Sequence, residues 1–452
     1  MDQEETTMPK RLHIKKHLTS FQIIILGFAA VVLFGALLLM LPISSQTGEM
    51  TPFNESLFTA TSAVCVTGLV VHDTASYWSS FGQGVILLLI QIGGLGVVTV
   101  AVSLVLLSGK KISLMQRSTM QEAIAAPKTG GIVRLTSFIL KTVLMIELIG
   151  ALIMMPVFCK EFGFKGIWRA FFHSISAFCN AGFDIMGTKE APFASLTSYT
   201  GNVLINIIIM LLIVIGGIGF LTWEDIRTKR HHIRRYSLQS KVVLTTSAIL
   251  IVIPAVYFYF FEFSGLSSGE RILDSLFQAV TTRTAGFNTV DLTALTGAGK
   301  CIFIVLMLIG GSPGSTAGGM KTTTAAVLCA NVISVFRRKE DPHFFGRRVN
   351  EEAVKNAATI LMMYIILFVS GALVISVVEG LPIGDCLFET ASAIGTVGLT
   401  LGITTKLSLI SQVILIILMF LGRVGGLTLI YAAFSGVDKN LSKLPQEKIT
   451  IG

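Results

Sequence analysis

Four times along the chain, a short glycine-terminated piece is set between two long apolar runs. This alternation limits the possible folds more than any other feature. The short pieces read LFTATSAVCVTGL, FFHSISAFCNAGF, LFQAVTTRTAGF and LFETASAIGTVGL. Each opens on a phenylalanine (Phe58, Phe172, Phe277 or Phe388) and leads to a glycine (Gly68, Gly182, Gly286 or Gly398). Phenylalanine and glycine are 10, 10, 9 and 10 residues apart, and successive glycines are separated by 114, 104 and 112 residues. A quarter of the 452 residues is 113, so one unit of that length is used four times.

The long runs fall near 21–42, 81–107, 132–158, 202–223, 239–263, 299–336, 353–379 and 408–434. Each holds about 20 residues or more, enough to cross about 30 Å of hydrocarbon. Composition agrees: 13% of residues are charged and the mean hydropathy is +0.76, whereas a soluble domain carries about 25% charged residues. The short pieces, around 53–70, 167–184, 271–288 and 383–400, cannot cross and read as re-entrant. The expected fold is therefore an all-α integral membrane protein. Its eight transmembrane helices would form four M1-P-M2 pseudo-repeats (span, pore loop, span) with re-entrant pore loops around one central pore. The units are 21–108, 109–223, 224–336 and 337–434, flanked by cytoplasmic segments 1–20 and 435–452.

Two crossings per unit return every connection between units to the side of the N-terminus. The termini and the connections near 108–131, 224–241 and 337–355 hold 23 of the 35 Lys and Arg residues, and the opposite side holds 7. The positive-inside rule then places both termini in the cytoplasm, with the pore loops entering from outside. That asymmetry accounts for the net charge of +9 without nucleic acid as a partner. The first run follows basic residues like a signal peptide, but it is too long and lacks a small-residue cleavage site. Six single cysteines without a CxxC pair and seven scattered histidines offer no disulfide framework or metal site.

Backbone groups at membrane depth must be satisfied by protein or water. A helix that dips in and returns extended leaves a row of carbonyls free, and glycine accepts the left-handed conformation this requires. Four such strands around an axis would replace the hydration shell of a monovalent cation, with the negative ends of four pore helices pointing at it. The strands contain no Asp or Glu, which a divalent ion would be expected to recruit. No nucleophile–base pair or paired carboxylates converge, so an enzyme reading has no support.

The signatures VTGL, NAGF, RTAGFN and GTVGLT, the broken sixth span and LGRVGGLT together resemble the Trk/Ktr/HKT superfamily of potassium transporters. The short N-terminus makes the chain most similar to its Ktr-type membrane subunit. The resemblance implies a selectivity filter for K+ made of Cys65, Val66, Thr67 and Gly68; Cys179, Asn180, Ala181 and Gly182; Arg283, Thr284, Ala285 and Gly286; and Gly395, Thr396, Val397 and Gly398. Glycine at all four key positions favours potassium over sodium. Arg283 would turn behind the filter to hold carbonyls or a pore-helix carboxylate, as a structural brace. The resemblance also implies a homodimer in membrane lipids on a cytosolic nucleotide-binding RCK-type ring. The chain itself would need no cofactor or structural metal.

The stretch GGSPGSTAGGMKTTT, 310–324, breaks the sixth span about halfway across. Pro313 and the glycines forbid a continuous helix, and irregular backbone at that depth must line a cavity or be buried in protein. By resemblance it is an intramembrane gate beneath the filter: Gly310, Gly311, Ser312, Pro313, Gly314, Ser315, Thr316, Ala317, Gly318 and Gly319, with Lys321 and, from the eighth span, Arg423. A phosphate-binding loop is the competing reading, but Met320 spoils its spacing and no strand precedes it. Arg423 at mid-membrane is a functional expectation by default, holding loop carbonyls or setting a barrier. GGLG at 93–96 and GGIG at 216–219 read as close-packing surfaces. Lys141 is placed near the inner surface and Glu147 bonded within the protein.

The expected function is potassium uptake across the plasma membrane, gated by the loop under control of the cytosolic ring. Competing readings are a sodium-permeable or sodium-coupled transporter and an accessory subunit of an ion-pumping ATPase.

Overall fold

The computed structural model describes residues 19–107, 112–126, 130–426 and 428. The terminal segments 1–18 and 429–452 lie outside the described residues, so the cytoplasmic N- and C-terminal segments expected from sequence are almost entirely beyond them. Among the described residues the regular structure is helical apart from a two-residue-per-strand hairpin, His343–Phe344 with Arg347–Arg348.

The first unit comprises α1 (Ser20–Met40), α2 (Phe53–Val64), α3 (Ser80–Leu95) and α4 (Val97–Leu107), followed by α5 (Leu114–Ile124). The second has α6 (Ile132–Phe162), α7 (Lys165–Phe178), α8 (Val203–Gly217) and α9 (Phe220–Lys229). The third has α10 (Leu238–Tyr257, continued by a π turn to Glu262), α11 (Ser268–Thr281), α12 (Gly297–Leu308) and α13 (Thr322–Phe336). The fourth has α14 (Glu351–Glu379), α15 (Ile383–Gly395) and α16 (Leu409–Val424).

Four helices, α1, α6, α10 with its π turn, and α14, are each long and apolar enough to cross a bilayer. Where the sequence suggests single spans over 81–107 and 202–223, the helices instead turn by 94° between α3 and α4 and by 96° between α8 and α9. The corners are Gly96 (φ +86°) and Gly219 (φ +92°), each with an extended ψ that a Cβ would disfavour. Gly425 ends α16 in the same conformation. The GGLG and GGIG stretches therefore do both jobs. Gly93, Gly216 and Gly422 press against the carbonyls of Val64, Phe178 and Ile394, leaving no room for a Cβ, while the glycine a few residues on turns the chain.

The short helices α2, α7, α11 and α15 form the interior. Phe58, Phe172, Phe277 and Phe388 are all fully buried, whereas the long helices expose Phe34, Leu144, Ile253 and Val377 outward, as lipid-facing surfaces do. Each short helix packs on the long helix before it: α1 on α2, α6 on α7, α10 on α11 and α14 on α15. The helix after it packs on the short helix of the next unit, as α3 on α7, α8 on α11, α12 on α15 and α16 on α2. This pairing closes the four units into a cycle.

Candidate translocation pathway

Each short helix ends in a turn that reverses the chain, and the local cause is the same four times. Thr67, Ala181 and Val397 donate their amides to the carbonyls of Ser62, Ser176 and Ser392 at 2.8 Å. In the third unit, one residue shorter, Ala285 donates to Thr281 O at 2.9 Å. The serine and threonine hydroxyls add a second tie: Gly68 N and Gly398 N donate to Ser62 Oγ and Ser392 Oγ at 3.1 and 3.0 Å. Ser176 Oγ and Thr281 Oγ1 donate forward to Phe183 O and Phe287 O at 2.7 and 2.5 Å. Aligning the four repeats would have revealed these hydroxyls, which sequence reading passed over.

The four glycines meet. A Cβ on Gly68 would come within 2.5 Å of Ala181 O, and one on Gly182 within 2.6 Å of Ala285 O. One on Gly286 would overlap Val397 O, and one on Gly398 would overlap Thr67 O. Each glycine thus abuts the backbone of the next unit, in the order 68, 182, 286, 398 and back to 68. All four have φ between +68° and +93°. Two residues earlier, Val66, Asn180, Thr284 and Thr396 are also left-handed, at +57°, +60°, +63° and +51°. Three of these are β-branched, for which that conformation is an outlier costing about 1–3 kcal/mol each. Such strain persists only where surrounding structure over-determines it. Above the ring lies a small cavity of about 160 Å³ bordered by all four glycines, Asp73 and Asp184.

Arg283 turns away from the ring. Its Nη2 donates to Ser247 Oγ of α10 at 3.0 Å, and Nε and Nη1 have no partner among the described residues. The pore-helix carboxylate expected from sequence is therefore not its partner. The carboxylates of these helices tie down the outgoing loops instead. Glu55 pairs with His72 at 2.6 Å, Asp274 accepts from Thr289 at 2.6 Å, and Glu389 accepts from Thr400 at 2.8 Å and also from Thr404. Behind the second strand, buried Glu147 accepts from Gln91 Nε2 at 3.2 Å, and the Cys179 thiol donates to both at 3.7–3.8 Å.

Directly beneath sits the break between α12 and α13. Gly310 N donates to Met320 O at 2.7 Å, and Thr322 N to Gly311 O at 3.0 Å, closing 310–321 into a compact loop. Its outer contacts reach the second and fourth units. Ser312 N and Thr316 N donate to Gly217 O and Gly216 O at 2.9 and 3.3 Å, and Gly319 N to Gly422 O at 3.2 Å. Thr316 Oγ1 lies 3.1 Å from Phe178 O and 2.8 Å from Asn180 Oδ1. A Cβ on Gly318 would overlap the Thr396 side chain. Arg423 clamps the arrangement: Nη1 donates to Thr316 O, and Nη2 to Gly93 O and Gly94 O. Lys321 Nζ is satisfied internally by Ala317 O at 3.0 Å. A second cavity of about 390 Å³ opens below, bordered by Pro313, Lys321 and Arg423. The loop therefore lies between an outer mouth and an inner cavity.

A membrane-embedded helical cycle with a backbone-lined constriction at its centre belongs to the class of multi-pass membrane transporters. The model of the TrkH cation transport protein family matches residues 7–443. The chain is 40% identical to the potassium/sodium uptake protein NtpJ of Enterococcus hirae, over 99% of this chain and 100% of the relative. It is 36% identical to the Ktr system potassium uptake protein B of Bacillus subtilis, over 95% and 96% of the two. Its fold is similar to the crystal structure of the potassium transporter TrkH from Vibrio parahaemolyticus, with a TM-score of 0.72 at 19% identity over 93% and 86% of the two chains. The chain belongs to the TrkH cation transport protein family, whose members are membrane transporters rather than enzymes.

Proposed function

We propose that the chain is the ion-translocating subunit of a potassium-uptake system in the plasma membrane, with eight spans and both termini cytoplasmic. The observation that carries this reading is the cycle in which Gly68, Gly182, Gly286 and Gly398 each abut the backbone of the next unit. Carbonyls from Cys65–Gly68, Cys179–Gly182, Arg283–Gly286 and Gly395–Gly398 would take the place of water around K+. The C-terminal ends of α2, α7, α11 and α15 add partial negative charge there. The packing that keeps Val66, Thr284 and Thr396 left-handed also fixes the oxygens before the ion arrives, so little reorganisation is needed on binding. The 310–321 loop, fastened by Arg423, is the gate, and flux requires that it leave the axis. The names of the Ktr-system relatives support a further subunit working with this chain; the assembly is taken to be a homodimer on a cytosolic RCK-type ring that carries the regulatory nucleotide.

The test is uptake by purified chain in liposomes with no other protein present. Rb+ should enter and Na+ should be excluded, and a preparation that stays inert even with 313–318 of the gate deleted would leave only an accessory role. A sodium-permeable member is the second reading, favoured by the name of the 40%-identical relative; comparable Rb+ and Na+ uptake would establish it.

A further inference from the structure

At the N-terminal end of α6, which faces the cytoplasm in the orientation proposed above, an open basin of about 840 Å³ is bordered by Arg134, Ser137, Phe138 and Lys141 of α6, Arg117 of α5 and Arg227 of α9. Three helices from different parts of the chain thus deliver four cations to one hollow, and no carboxylate among the described residues lines it. None of the four forms an ion pair or side-chain hydrogen bond among the described residues. Arg227 is held in place by its guanidinium lying 4.5 Å over the Phe138 ring. Four like charges gathered without a counterion repel one another and are best relieved by an anion. The first turn of α6 also opens here, with Gly130 and Gly131 at the rim, so its free amides and positive dipole end favour the same charge.

The shape selects among anions. Arg134, Phe138 and Lys141 share one face of α6, and the same face continues through Met145, Leu148 and Leu152, which are 54%, 45% and 52% exposed. A cationic basin therefore stands at the head of an uncovered apolar stripe on a membrane-spanning helix. A free nucleotide would use only the head, whereas a phospholipid would use both. We propose that this basin binds the phosphate headgroup of an anionic phospholipid whose acyl chains lie along α6.

The site is placed to matter. Arg117 is on α5, and at the other end of that helix Ile124 O lies against Gly314 of the pore loop, with no space for a Cβ between them. Ile124 also borders the cavity below the loop. A headgroup that pulls on Arg117 therefore acts on the element that backs the loop.

The experiment is binding of radiolabelled phosphatidylglycerol to the detergent-solubilised full-length chain, which is independent of whether the chain conducts potassium. Arg134→Gln with Lys141→Gln should weaken binding about twenty-five-fold, from about fivefold per cationic side chain. Arg117→Gln with Arg227→Gln, on other helices, should do the same, so a folding defect in one pair does not decide the result. Arg134→Lys with Lys141→Arg keeps the charge and should bind as wild type. Removing two cations elsewhere, with Arg337→Gln and Arg338→Gln, should change nothing. Undiminished binding by both neutralised pairs overturns the proposal. So does full displacement of the lipid by micromolar ATP or inorganic phosphate, which would make the basin a soluble-anion site. In vesicles of phosphatidylethanolamine and phosphatidylcholine, adding phosphatidylglycerol should change Rb+ flux through wild type but not through the Arg117→Gln, Arg227→Gln variant.

Discussion

At the scale of single residues, the pathway is a set of backbone conformations that most side chains refuse. Gly286 combines φ +80° with a neighbouring carbonyl where its Cβ would be. Gly286→Ala adds about 1–2 kcal/mol of left-handed penalty to a direct overlap. Rb+ uptake in a potassium-requiring host should fall about tenfold or more, and wild-type uptake at equal membrane abundance would refute the role assigned to the ring. Arg423 works the other way, because it joins three carbonyls across two unit boundaries. A hydrogen bond from a charged group contributes about 1.5–3 kcal/mol, so Arg423→Gln should shift the loop toward its displaced state about tenfold or more. The expected result is a higher basal leak of Rb+ from liposomes; a lower leak would mean that Arg423 supports conduction rather than closure.

Elements matter through their interruptions. The corner between α8 and α9 brings Phe220 N to Gly314 O at 2.7 Å, so the bend at Gly219 is also a support for the loop. Gly219→Ala would force a side chain into that φ and against Pro313 O, at about 1–3 kcal/mol. Thermal unfolding in detergent should drop, and protease access to the loop should rise with it. Deleting 313–318 removes the obstruction itself. Flux should increase, and an unchanged flux would take the loop out of the mechanism.

On the scale of the molecule, closure of the cycle is the property on which conduction depends. The fourth unit packs α15 on α12 and α16 on α2, so it joins the third unit to the first. Residues 1–336 and 337–452 expressed as two chains should therefore restore uptake together and neither alone. Activity from the first chain by itself would show that three units suffice. The cut falls between the end of α13 and the hairpin at 343–348.

Much of this architecture was legible in the chain. Apolar run length is summed locally, so hydrocarbon-crossing segments, the fourfold spacing of the glycines and the break at 310–324 all appear without knowledge of any partner. Phe58, Phe172, Phe277 and Phe388 show their burial in the same way, as matching positions of one repeated amphipathic helix. What required the tertiary structure is whatever couples distant residues. Arg423 meets Gly93 across 330 positions, Arg283 meets Ser247 instead of a carboxylate, and Gly96 and Gly219 turn helices whose composition alone reads as continuous. Left-handed Val66, Thr284 and Thr396 run against their own propensities, because the packing of the neighbouring units, not local preference, decides the backbone there.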